Sequence, residues 1–381
     1  MMDDLAKETS PAHEQDEAAR HAGPLVGLRV LELDAIGPVP HCGMLLADMG
    51  ADVVRVLRPG GQSAYADVGG AILHRGRTSV ELDLKTEAGR EGVLALVRHA
   101  DALVEGMRPG VMERLGLGPD VCHALAPSLV YARATGWGQT GPLRARAGHD
   151  INYLALTGTL HALRGRDGYP QAPLNLVGDY AGGALYLAFG MVSAMLHARS
   201  TGKGQVLDAA IVDGASHVMG LFHALLASGQ WREEPGANLL DGGAPFYRCY
   251  ACACGGYVAV GALEPQFFRA LLEGLALDPA RFPQHERESW PALEEALAQA
   301  FAQAPRDHWE ALFRDTDACV TPVLSMAEAM VHPVNAARGV FVERDATRQA
   351  APAPRFSVTP GQIAEGRMLA LEDALSHWRR R

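Results

Sequence analysis

The sequence predicts an α/β protein: a large doubly wound domain built on a parallel sheet, then a smaller α+β domain. Three observations carry this. From Pro24 onward, short β-branched runs alternate with helix-like segments, the pattern of strand–helix–strand units. The chain has 381 residues, enough for two domains. A Gly/Pro-rich stretch at 230–246, "QWREEPGANLLDGGAPF", marks a composition shift between them.

Each element has its own signal. "LRVLEL" (28–33) reads as the first strand, and "HCGMLLADMG" as a helix stopped by Gly50. "ADVVRV" (51–56), "TSVELDL" (78–84), "DALVEG" (101–106) and "SLVYARATG" (128–136) follow as strands, separated by the helix "EAGREGVLALVRHA" and by "GVMERLG". "YAGGALYLAFGMVSAMLHA" (180–198) has no formally charged residue and approaches the length of a membrane span, but three glycines and its isolation read better as a helix buried in a domain. "GKGQVLDAAIVDGASHVMG" gives a turn, a strand and a helix. After the linker, a small domain over 247–328 opens with the hairpin "YRCYACACGGYVAVGAL" and continues with helices near 265–276, 290–303 and 306–315 and a strand in "ACVTPVLS". Residues 329–381 lead back toward the large domain, which spans 24–229. Residues 1–23 are polar and charged, lack the basic start and apolar run of a signal peptide, and predict a disordered tail.

Composition excludes some functions. A formal charge of -10 argues against nucleic-acid binding, which needs a surplus of basic residues. Six cysteines in a chain of this size do not form a disulfide framework, as expected in a reducing cytoplasm. Cys249, Cys252 and Cys254 have thiolate-ligand character but lack a fourth ligand nearby, so they read as packing residues rather than a metal site. The turn "DAIGPVPHCGM" lacks G-x-G-x-x-G and carries Pro38 and Pro40 where a dinucleotide phosphate needs free amides. Lysines are few, and arginines gather at Arg55, Arg58, Arg75, Arg77 and Arg108, through base-composition bias or as an anion-binding cluster.

Three side chains are acid–base candidates, each with a structural alternative. His149, in "GHDINYLALTG", is a base or a residue at a loop-to-helix junction. Asp179, in "NLVGDYAGGALYL", is an acid–base group or the N-cap of the long helix. Glu264, before Pro265, is a functional carboxylate or a helix start.

Taken in order, "LLADMGADVVRVLRPG", "RGRTSVELDLK", "EGMRPGVMERLGLGP", "YARATGWGQTGP", "AGHDINYLALTG", "PLNLVGDYAGG", "GKGQVLDAAIVDG", "ANLLDGGAPFY" and "VAVGALEPQF" resemble the class III CoA-transferase family. The resemblance runs from "PLVGLRVLEL" to "APRFS" and is greatest to the family's racemase branch, in which a histidine stands at the position of His149. It implies an isomerase of fatty acyl metabolism that inverts C2 of 2-methylacyl-CoA thioesters, with His149 and Asp179 as the two bases and Glu264 supporting His149. It further implies that Arg58, Arg75, Arg77 and Arg108 lie along the CoA groove, and that two chains form an interlocked homodimer with no membrane or nucleic-acid partner. No metal or organic cofactor is called for, the CoA thioester being the substrate. The alternative within the family is a CoA-transferase in which Asp179 attacks the thioester and forms an acyl anhydride. One departure stands out: relatives tend to have Tyr-Glu-Cys-x-Asp-Gly where this chain has Tyr250, Ala251, Cys252, Ala253, Cys254 and Gly255. If that hairpin touches substrate, acyl preference changes with it.

The racemase chemistry sets an electrostatic requirement. Histidine titrates near pH 6.5 and aspartate near 3.9, a gap worth about 3.5 kcal/mol. Since substrate epimers are nearly equal in energy, the site should raise the Asp179 pKa by desolvation.

Overall fold

The computed structural model describes residues 22–60, 70–344 and 346–379. The tail expected over 1–23 lies almost wholly outside them. Compactness divides the chain into two units. The first comprises residues up to Thr157, Pro173–Met219 and Gly339–Arg381, and the second comprises Gly158–Ala172 and Gly220–Arg338. The crossover at Met219 thus precedes the Gly/Pro-rich stretch, and a short excursion at 158–172 joins the second unit.

The first unit is built on six parallel strands, β1 (Arg29–Leu33), β2 (Asp52–Leu57), β3 (Thr78–Glu81), β4 (Ala102–Glu105), β5 (Val130–Thr135) and β6 (Gln205–Ala210). The second unit holds β7 (Tyr247–Ala251), β8 (Tyr257–Gly261) and β9 (Val320–Pro322), an antiparallel sheet. The C-terminal return adds the hairpin β10 (Phe341–Arg344) and β11 (Thr347–Ala350), then β12 (Arg367–Met368), which joins the large sheet beside β3. The large sheet runs β12-β3-β2-β1-β4-β5-β6. Strand order reverses between β1 and β4, and in such sheets ligands bind outside the carboxyl ends of the strands at that point.

These strands form because their apolar runs can be buried on both faces. With period two, Val30, Val53, Val104 and Ala132 enter one core, and Leu31, Val54, Leu103 and Tyr131 the other. Burial of one such Val or Leu contributes about 1.5–3 kcal/mol. The first core is covered by α1 (Pro38–Asp48) and the later half of the long apolar helix, the second by α2 (Glu87–Val97) and the helix Leu371–Arg379.

The long helix begins earlier than the sequence implies. A π-helical stretch, Leu176–Ala184, leads into an α-helix at Leu185–Thr201, so Asp179 lies inside the first turns and is not the N-cap. The N-cap is Asn175. Glycine permits this packing: a Cβ at Gly182 would sit 2.6 Å from the Ala215 backbone nitrogen, and one at Gly183 would sit 2.9 Å from Pro38 Cβ. By length and composition the helix could cross a membrane, yet Leu187, Met191 and Met195 are buried under the sheet.

In the second unit, Phe246, Phe268, Phe301, Trp309 and Phe313 form a core between the sheet and the helices Pro265–Gly274, Trp290–Phe301 and Arg306–Phe313. The β7–β8 turn docks on this same unit: the Ala253 amide donates to Ala304 O, and the Arg306 amide donates to Cys254 Sγ at 3.4 Å. Backbone amides of Arg306 and Gly256 hold the exposed Cys254 thiol below its ordinary pKa.

Candidate active site

A cavity of about 320 Å³ opens at the reversal point of the first unit. Its wall is assembled from the turns that follow the strands: Ile36, Gly37 and Pro38 after β1, Gly106 to Pro109 after β4, Ala134 to Trp137 at the end of β5, and Ile211 after β6. His149 and Asp179 both line it. The turn after β4 is fixed by Glu105, whose carboxylate accepts the Met107 amide at 2.5 Å and the Arg133 guanidinium at 3.0 Å. Burial holds the Glu105 pKa up at about 7.

His149 caps the helix α3 (Asp150–Leu156) in extended backbone, its amide donating to Asn152 Oδ1 at 3.0 Å. Its ring is exposed. Asp179 is half-buried, and its Oδ2 accepts Asn175 Nδ2 at 3.4 Å. The carboxyl lies over Gly37, where a Cβ would come within 3.4 Å of it and where φ is +70°. Burial pushes the Asp179 pKa up and the Asp150 charge adds to this, while Asn175 and the positive form of His149 pull it down. The net direction is the one two-base chemistry requires.

One neighbour lay beyond the sequence reading. Asp150 is 7% exposed, and its Oδ1 accepts the Asp179 amide at 2.6 Å. The Gly178 amide is a second donor to the same carboxylate. Both first-turn amides are therefore engaged by Asp150. Tyr153 and Trp137 meet edge-to-face at 4.7 Å in the cavity wall, and the Tyr153 hydroxyl donates to Gly148 O at 2.5 Å.

The expected CoA-groove arginines fall into three environments. Arg108 is exposed and lines the cavity. Arg58 is exposed just past β2. Arg75 and Arg77 are instead buried and paired: Arg75 Nε donates to Asp48 Oδ1 at 2.9 Å and Arg75 Nη1 to Gln349 Oε1 at 2.6 Å, while Arg77 is fully buried and holds both oxygens of Glu32 at 2.6–2.7 Å. Arg77 therefore presents no surface to a phosphate in this structure. Arg75 borders a second cavity, with His74, Ser79 and Gln349.

Glu264 belongs to the second unit. It precedes the helix Pro265–Gly274, is exposed, and lies close enough to Cys319 for its charge to add to the burial that raises that thiol's pKa.

An open parallel sheet with a cavity at its reversal point, lined by an imidazole and a raised carboxyl, defines an α/β protein with the furnishings of an acid–base enzyme. Residues 25–367 match the model of CoA-transferase family III. The chain is 44% identical over 341 residues to alpha-methylacyl-CoA racemase of Homo sapiens, covering 88% of this chain and 87% of that one. It is 31% identical to succinyl-CoA–D-citramalate CoA-transferase of Chloroflexus aurantiacus, covering 89% of each. The crystal structure of a CaiB/BaiF family protein from Brucella suis superposes with a TM-score of 0.79 at 26% identity, covering 94% of this chain and 99% of that one. The chain belongs to CoA-transferase family III.

Proposed function

We propose that the protein is a racemase that inverts C2 of 2-methylacyl-CoA thioesters by proton transfer through an enolate. The observation that carries this is the pairing of His149 and Asp179 on one cavity, with Asp179 pushed above its ordinary pKa by burial. One group removes the C2 proton from one face, and the other returns a proton to the opposite face. Raising Asp179 narrows the gap to histidine, so the His/AspH and HisH⁺/Asp⁻ states approach each other in energy. The 44% identity to a protein named for this activity supports the same reading. Glu264 is the proposed support of His149, fixing its tautomer. Arg58 and Arg108 are proposed to hold the CoA phosphates, since both guanidiniums are open to ligand. We place the enzyme in the cytoplasm as a homodimer.

The test is incubation of a single 2-methylacyl-CoA epimer in deuterated water. The expected result is deuterium at C2 and equal epimers, with His149→Ala slowing both at least about 10²-fold. Transfer of the acyl group's CoA to a second carboxylic acid, with a hydroxylamine-trappable acyl group on Asp179 and no deuterium at C2, would establish the transferase instead.

A further inference from the structure

The loop leading into His149 carries two arginines that neither the mechanism nor the fold uses. Arg144 and Arg146 sit on a turn closed by backbone hydrogen bonds, Arg144 N to Gly141 O at 3.4 Å and Arg146 N to Leu143 O at 2.8 Å. Both side chains are exposed and line the cavity that holds His149 and Asp179. Among the described residues neither guanidinium has a hydrogen-bonded or ion-paired partner, whereas Arg75, Arg77 and Arg133 are each spent on a carboxylate.

An unpaired surface arginine is ordinary by itself. Convergence is the informative part. With Arg108, three guanidiniums border one cavity against the single carboxyl of Asp179, in a chain whose formal charge is -10. The positive wall is local, so it creates a field that attracts an anion to this cavity and no general basic surface. A further donor stands in the same wall: Trp137 Nε1–H is buried without a partner among the described residues. Arg146 is three residues from His149, so their Cα atoms lie within about 10 Å even along fully extended chain. Arg146 and His149 therefore enter the cavity wall from one short segment.

We infer that Arg144 and Arg146 recognise an anionic oxygen group on the substrate, carboxylate or phosphate, and so set which thioesters the cavity prefers. This rests on the acyl-CoA reading above. Planar guanidinium forks suit either group, and two sources are chemically available: the CoA diphosphate, or a carboxylate carried on the acyl chain.

Four thioesters separate the sources: the CoA and N-acetylcysteamine thioesters of a 2-methyl fatty acid, and both again with a terminal carboxylate on the acyl chain. Their Kd values are measured by calorimetric titration against wild type and the Arg144→Gln/Arg146→Gln double variant. A loss of about tenfold or more confined to both CoA thioesters identifies the diphosphate; the same loss confined to both carboxylated acyl chains identifies the acyl carboxylate. In either case the wild-type advantage shrinks with added salt. Unchanged Kd values for all four ligands overturn the inference. An equal loss for all four overturns it too, because the uncharged thioester has nothing for an arginine to read. Deuterium exchange by the wild type is scored separately: its absence removes the racemase reading and leaves the Kd comparison intact.

Discussion

The carboxylate of Asp150 accepts the backbone amide of Asp179 at 2.6 Å. Two consecutive residues thereby do different work: His149 presents its imidazole to the cavity, and Asp150 ties down the helix that carries the second candidate base. The tie is close-fitted, since a Cβ at Gly178 would come within 2.3 Å of Asp150 Oδ1. It also has a cost. Among the described residues Asp150 Oδ2 is buried without a partner, and burial raises the Asp150 pKa against the opposing pull of the Asp179 and Gly178 amides.

Removing this tie should damage catalysis more than stability. Asp150→Ala frees two helix amides but also removes a buried, half-satisfied carboxylate, and the two effects on stability oppose each other. Misplacement of a reacting group by about 1 Å can cost about 10²-fold in rate. The expected outcome for Asp150→Ala is a kcat lower by about that factor, with KM and Tm little changed. Asp150→Asn keeps an oxygen acceptor and should fall less. A variant with undiminished deuterium exchange would refute the positioning role.

Asp179 should lower stability at neutral pH. Its folded pKa is raised by burial, so the charged form is disfavoured in the native state. The sign follows from linkage: a group with a raised folded pKa favours the native state fully below its unfolded pKa, and that contribution is lost as pH rises through the folded value. Asp179→Asn removes the ionisation. The variant should therefore unfold at a higher temperature than wild type near pH 7, with the difference vanishing as pH falls into the ordinary carboxylate range, while isotope exchange is abolished. Thermal unfolding followed across pH by circular dichroism measures this, and a wild type more stable than the variant at pH 7 contradicts it.

What the sequence made legible follows from how far each determinant reaches along the chain. Strands such as β2 are local, because a run of valines needs no partner to be recognised as buried on both faces. His149 and Asp179 were visible as chemical types in context, and the cavity at the strand reversal unites them. The pairings were not visible. Arg77 meets Glu32 across 45 residues of sequence and Arg75 meets Asp48 across 27, so nothing local distinguishes these arginines from the open Arg108. Asp179 preceded an apolar run and so read as a cap, but Gly182 and Gly183 let a π-helical stretch start at Leu176, one turn earlier. Asp150 was missed because its use is to bind amides 28 and 29 residues away.

The two kinds of arginine should separate cleanly on substitution. Arg77 and Glu32 are both fully buried, and breaking such a pair leaves a stranded charge at a cost of about 3–5 kcal/mol. Arg77→Ala should lose soluble protein or several degrees of Tm. Arg108→Ala, at an exposed position without an ion pair among the described residues, should keep the wild-type Tm and weaken acyl-CoA binding by about tenfold. Unfolding curves and acyl-CoA titrations of both variants decide this; equal Tm for Arg77→Ala and wild type would remove its structural assignment.

The long helix also carries the strongest indication of self-association. Leu185, Phe189, Val192 and Leu196 are 51%, 74%, 37% and 71% exposed, and their spacing of four, three and four residues puts them on one stripe. The opposite residues, Leu187, Met191 and Met195, are already buried against the sheet, so the stripe is not surplus core. A lone soluble chain seldom leaves such a contiguous apolar row in water. In an isologous dimer each row meets surface on the second copy twice over, so one substitution acts at two places in the interface. Phe189→Glu and Leu196→Glu should therefore shift the protein to monomer at micromolar concentrations where wild type runs as a dimer in sedimentation velocity. None of these four residues lines the cavity, so dissociation without unfolding would also show whether exchange requires the second copy. A wild type that sediments as a monomer, or glutamate variants that remain dimeric, would refute the assignment of this face to the homodimer.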